Sequence, residues 1–129
     1  MKDKTVLVTR PNYDPTTSYI YYWSQKTIDL AKRKNAKVLE ISGDRVTKKE
    51  FEGRMKKMKP DFLMLNGHGL ADRVAGQHHK IILDKSNSHI TKGVVVSALS
   101  CESARELGPH AVLKGARSYI GYEESFIFF

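Results

Sequence analysis

The sequence predicts an α/β domain: a central, mostly parallel sheet of about five to six strands with helices on both faces. Three observations carry this. Through the first half of the chain, short β-branched apolar runs alternate with longer amphipathic segments, strand then helix. The runs at residues 61–65 and 94–100 are nearly continuous in apolar character, as strands buried on both faces are. The length, 129 residues, suits a single domain, 1–129, with one core.

Residues 5–9 (Thr-Val-Leu-Val-Thr) are the first strand. Pro11, Asn12, Asp14 and Pro15 mark a loop. Asp14 can cap a helix with Pro15 at its first position, where a missing N–H costs nothing, and Thr17 is an alternative cap. From Tyr19 to about Lys34, the residues Ile20, Trp23, Thr27, Leu30 and Ala31 fall on one helical stripe, the expected buried face. Lys32, Arg33 and Lys34 place positive charge at the negative end of that helix, and Asn35 terminates it. Residues 37–41 are the second strand. Thr47 and Glu50 fit a capping box for a second helix, whose stripe is Phe51, Met55 and Met58 and which stops before Pro60.

Residues 61–65 form the third strand. An irregular loop is expected over 70–76, then a short strand or hairpin within 77–83. Residues 94–100 are the fourth main strand and the one expected to be most buried. Residues 103–107 and 110–115 read as helical on either side of Gly108-Pro109, and 117–121 as a fifth strand. The chain closes on Phe126, Ile127, Phe128 and Phe129, expected to be a buried last element, a homodimer contact, or the start of a C-terminal segment of a longer protein.

The formal net charge of +8 is unevenly spread. Residues 1–60 carry 15 Lys+Arg against 7 Asp+Glu, whereas residues 61–129 are balanced at 7 each. Without an RNA-binding signature or zinc-finger spacing, this surplus reads as solvated helix faces, and nucleic acid is not the expected partner. A single cysteine excludes an internal disulfide and suggests a reducing compartment. No apolar run approaches the roughly 20 residues of a membrane helix, and none resembles a signal-peptide core. A cytoplasmic protein with no membrane partner is the expectation.

The chemistry is expected at the carboxyl ends of the strands, where parallel α/β sheets bind ligands. The third strand runs into Asn66-Gly67-His68-Gly69, and the fourth runs into the sole cysteine, Cys101. Two adjacent parallel strands would bring His68 and Cys101 to one edge as base and nucleophile. The N–H groups of Gly69 and Cys101 can serve as an oxyanion hole, and a helix starting just after Cys101 would favour its thiolate. Arg10, at the end of the first strand, faces the same cleft as a candidate for binding a carboxylate. Asp72 and Glu102 are the nearest acids in sequence, either to orient His68 or to select a basic substrate residue. No cofactor and no metal are expected: adjacent His78 and His79 on a strand would point to opposite faces, His89 and His110 are isolated, and there is no second cysteine. The turn at 67–72 lacks the third glycine and the ribose-binding acid of a dinucleotide site.

Apolar strand–His68-Gly69 followed by apolar strand–Cys101 resembles the caspase-like (clan CD) cysteine peptidases, nearest to their CHAT, gingipain and legumain-like members. The triplet Cys101-Glu102-Ser103 looks like the legumain version of the motif, and residues 115–121 are similar to the strand that follows in CHAT and gingipain-like members. The resemblance implies a three-layer fold with main-strand order 2-1-3-4-5. It also implies Cys101 as nucleophile, His68 as general base and acid, a thioester intermediate, and a peptide or protein substrate. Leu99-Ser100 stands where caspases carry Gln-Ala, and Ser103 where they carry Gly, so aspartate specificity is not part of the expectation. Two other readings are carried along. One is a binding module of the same fold with a silent dyad, in which Cys101 is buried and inert. The other is a nucleic-acid-associated domain using Lys48, Lys49, Lys56 and Lys57.

Overall fold

The computed structural model describes residues 3–125. The chain runs β1 (Thr5–Arg10), α1 (Pro15–Arg33), β2 (Lys37–Ser42), α2 (Lys48–Met58) and β3 (Phe62–Asn66). It continues through β4 (Gly69–Leu70), β5 (Arg73–Ala75), β6 (Ile81–Asp84), β7 (Val95–Leu99), α3 (Leu107–Leu113) and β8 (Ser118–Ile120). Five strands form one all-parallel sheet in the order β2-β1-β3-β7-β8. Counting main strands alone this is 2-1-3-4-5, with the order reversing between β1 and β3. β4, β5 and β6 form a second, antiparallel sheet.

The layers follow from which residues each strand turns up and down. Val6 and Val8 of β1 face α1 and meet Ile28. Leu7, Leu63, Leu65, Val96 and Ala98 face the other way, onto Phe51 and Met55 of α2 and Leu107 of α3. The small sheet seals that second face with Val74, Ile82 and Leu83, all fully buried. This is a three-layer α/β arrangement.

Local signals explain most boundaries. Asp14 caps α1 through the Thr17 N–H at 2.8 Å, Pro15 occupies the first turn, and Thr17 Oγ1 returns to the Asp14 N–H. Asn35 adopts φ 64° just past the end of α1, a left-handed stop suited to Asn. Thr47 caps α2 by accepting the Glu50 N–H at 3.2 Å. The Glu50 side chain turns instead to Arg45 and Arg54, so the box is half closed.

Several expectations are corrected. The buried face of α1 is Thr17, Ile20, Ser24 and Ile28, while Trp23 is 55% and Leu30 48% exposed. The cause is Arg10, which is 2% exposed. Its Nε donates to Ser24 Oγ at 2.9 Å, its Nη1 pairs with Glu40 at 2.6 Å, and its Nη2 donates to the Tyr21 carbonyl at 2.6 Å. The guanidinium also stacks 3.7 Å from the Tyr21 ring centroid. A serine at a core position hid the true stripe, because it is there to receive an arginine.

The most buried strand is β1, not β7. α1 covers β1 and β2 and reaches β3, and among the described residues no helix covers the same face of β7 and β8. A groove of about 580 Å³ results, lined by Trp23, Thr27, Phe62, Met64, Ser97 and Ile120. Residues 70–76, expected as an irregular loop, form the β4–β5 hairpin. Residues 101–106 are turns rather than helix, and α3 runs through Gly108-Pro109 instead of breaking there. Pro109 sits in the first turn, where its missing N–H is not needed. The expectations for Phe126, Ile127, Phe128 and Phe129 lie outside the described residues.

Candidate functional site

The site is set by the register of β3 against β7. Asn66 pairs with Leu99, and the Gly67 N–H reaches the Leu99 carbonyl at 3.3 Å. Beyond that pair β3 runs on to His68 and β7 to Cys101, at the same carboxyl edge of the sheet. Gly69 completes the approach: a Cβ there would fall on Ser100 Oγ and 2.6 Å from the Cys101 carbonyl. Only glycine lets the two chain segments come this close.

The hairpin that follows turns Gly69 in a particular way. The Ala75 N–H donates to the His68 carbonyl at 2.8 Å, which makes His68 and Ala75 a bonded pair. In an antiparallel ladder bonded and non-bonded pairs alternate. Gly69 and Val74 are therefore the non-bonded pair, and the Gly69 N–H points away from β5. Among the described residues, two buried side-chain polar atoms have no hydrogen-bond partner: Asn66 Nδ2 and Ser100 Oγ. Both lie at this edge, one ending β3 and the other following β7.

His68 is held from the β1–α1 loop. Its Nε2 lies 2.7 Å from Asp14 Oδ2, with both side chains about a quarter exposed. Partial burial pushes the Asp14 carboxyl up, but the hydrogen bonds from the Thr17 N–H and hydroxyl and from His68 outweigh it, and its pKa is lowered overall. An ionised carboxylate only accepts. Nε2 therefore carries the proton, and Nδ1 is left as the basic nitrogen of the neutral ring.

An aromatic cluster surrounds this pair. His79 lies 4.7 Å from the His68 ring at an interplanar angle of 31°. Tyr13 lies 5.1 Å from His78 and 5.2 Å from His79, and its hydroxyl accepts the His79 N–H at 3.0 Å. Burial raises the Tyr13 pKa, the bond from His79 opposes this, and the Asp14 charge adds to it. Residues 77–79 form a 3-10 turn in which His78 and His79 both take positive φ, 54° and 60°. The premise that these histidines alternate across a strand fails for that reason, and Asp14, His68 and His79 converge from three loops. An open cleft of about 490 Å³ runs beside them, lined by His68, Leu70, Arg73, Ala75, His79 and Ile81.

The remaining sequence candidates lie elsewhere. Arg10 is the clamp of α1 onto β1 and β2, its donors taken by Ser24, Glu40 and Tyr21. Asp72 turns to Arg73 at 2.8 Å, which lowers its pKa, and so does not orient His68. Glu102 takes φ 61° and pairs with Arg105 at 3.0 Å. The acid that meets His68 is Asp14, which the sequence offered only as a helix cap. Cys101 is half-buried and begins a run of turns, so no helix N-terminus stands behind its thiol. Lys48, Lys49, Lys56 and Lys57 lie exposed on α2.

Comparison with protein-family models, with curated proteins and with solved structures gave no match. The function of the site therefore rests on its geometry. Among the described residues no helix is long and apolar enough to cross a membrane.

Proposed function

We propose that the protein is a cysteine hydrolase of the caspase-like kind, cleaving a peptide or acyl bond through a thioester at Cys101. One observation supports the reading: Asp14 holds Nε2 of His68 at 2.7 Å, at the edge of the sheet where β3 and its neighbour β7 run on to His68 and Cys101. Nucleophile, base and orienting acid thus come from three separate strand ends.

In this mechanism His68 Nδ1 takes the thiol proton and Cys101 Sγ attacks the substrate carbonyl. The resulting oxyanion accepts hydrogen bonds from the N–H groups of Gly69 and Cys101, the first of which is turned away from the hairpin. Collapse of the intermediate breaks the carbonyl–nitrogen bond. His68 returns its proton to the leaving amine, and the acyl group remains on sulfur as a thioester. A water molecule, deprotonated by His68, then releases the acid and restores the thiol. Asp14 keeps the imidazole in the required tautomer and stabilises its cationic form, as a third member does in such triads. The unpartnered Asn66 Nδ2 and Ser100 Oγ are in keeping with an edge built for chemistry rather than packing alone.

The test is the rate of iodoacetamide alkylation of Cys101 against pH in the wild type and in His68→Ala. A thiolate that titrates below the ordinary thiol value of about 8.5, and moves when His68 is removed, supports the dyad. A titration indifferent to His68 overturns it and leaves a binding module with a silent dyad.

A further inference from the structure

The convergence of Asp14, His68 and His79 exceeds what a thiol hydrolase needs. A thiol, a base and an orienting acid suffice for that chemistry, and His79 takes no part in it. Yet His79 is held beside His68 by a backbone in the left-handed region, the second of two such residues in succession. Non-glycine residues held there are strained, and the surrounding structure has to hold them in place. The Tyr13 hydroxyl on the His79 N–H pins the turn in place. The result is two imidazoles and one carboxylate whose donor atoms all lie within 4.8 Å of one another.

We propose that Asp14, His68 and His79 form a binding site for a first-row divalent transition cation, with zinc as the preferred occupant. Two imidazole nitrogens and one carboxylate oxygen are the donor set that zinc takes in sites with an open position. Bonds of about 2.0–2.1 Å in a tetrahedron require donors roughly 3.3 Å apart. Asp14 and His68 already lie inside that distance at 2.7 Å, held together by the proton a cation would replace. His79 is exposed and closes the rest by side-chain rotation. The fourth position faces the open cleft beside His68 and His79, which admits water or an anionic ligand. The Thr17 N–H and hydroxyl, both directed at Asp14 Oδ1, orient the carboxylate from behind, as partners of metal ligands do.

The site stands independently of Cys101, which is not among the donors. His68 belongs to both arrangements, so the cation and the thiol compete for it.

The test is zinc binding to the intact chain at neutral pH, by competition with a chromophoric chelator. Four variants are compared with the wild type: Cys101→Ser, His79→Ala, Asp14→Asn and His89→Ala. The expected result is one zinc per chain, kept in Cys101→Ser and His89→Ala and weakened by roughly 100-fold in His79→Ala and Asp14→Asn. Asn retains the cap of α1, and His79 is exposed, so neither loss would reflect unfolding. Cobalt bound in place of zinc should show no thiolate-to-metal charge-transfer band. Undiminished affinity in His79→Ala, loss of binding in Cys101→Ser, or no stoichiometric binding to the wild type each overturns the proposal.

Discussion

The carboxylate of Asp14 ties the start of α1 to His68: Oδ1 accepts the Thr17 N–H at 2.8 Å while Oδ2 meets His68 Nε2 at 2.7 Å. The two tasks can be separated. Asn caps a helix as well as Asp does, so Asp14→Asn should change stability by no more than about 0.5 kcal/mol. It should slow Cys101 alkylation at neutral pH roughly tenfold, because the base loses its charged partner. Asp14→Ala should add a stability loss of about 1 kcal/mol. Urea unfolding read beside alkylation rates checks both, and equal alkylation in Asp14→Asn would show that Asp14 is a cap alone.

Gly69→Ala would place a methyl group on Ser100 Oγ and against the Cys101 carbonyl. Because one obstacle is backbone, side-chain rotation cannot relieve it. A destabilisation of about 1–3 kcal/mol is expected, together with a change in the pH profile of Cys101 alkylation. A variant with native stability and native thiol reactivity would refute the close approach of the two segments.

Arg10→Met should be among the most damaging single changes outside the apolar core. It strands Glu40 and removes donors to Ser24 and the Tyr21 carbonyl. The expected loss is about 2–4 kcal/mol in denaturant unfolding. If Arg10 instead bound a substrate carboxylate, the same variant would keep its stability and lose only activity.

Tyr119 gives the fold an alkaline limit. Burial raises its pKa to about 12, with the bond to Ser103 Oγ at 2.8 Å acting weakly in the other direction. The folded pKa lies above the unfolded value of about 10. Its stabilisation is therefore complete below pH 10 and is lost as pH rises towards 12. The loss should be on the order of 2 kcal/mol. Chemical denaturation across that range should show the decline, and Tyr119→Phe should flatten it.

Zinc and the thiol chemistry should interfere through His68. Saturating zinc should slow alkylation of Cys101 in the wild type and leave the rate in His79→Ala unchanged. Equal slowing in both would place the zinc on sulfur instead.

Much of the architecture was legible because it is local. Val6, Leu7 and Val8 mark β1 by composition, and Asp14-Pro15 and Thr47 announce two helix starts by capping chemistry. The strands that lead to His68 and Cys101, β3 and β7, were legible as two apolar runs. What stayed hidden depends on partners distant in sequence. Ser24 is a core residue only because Arg10, fourteen positions earlier, points at it. Asp14 meets His68 across 54 residues, and nothing near Asp14 distinguishes this role from an ordinary cap. Its place just past the carboxyl end of β1 was the available signal, but Arg10 drew that inference instead. His79 was misplaced because the period of a strand was applied to a segment that is a left-handed turn.

The open face beside α1 has a spectroscopic consequence. Trp23 is the only tryptophan, it is 55% exposed on that groove, and the Lys26 ammonium lies 5.1 Å from its ring. The indole is therefore a native fluorophore placed on the groove that α1 leaves over β7 and β8 among the described residues. Emission should lie to the red in the isolated chain and move to the blue when anything covers β7 and β8, with quenching by iodide falling in step. The chain reports on this groove without an added label.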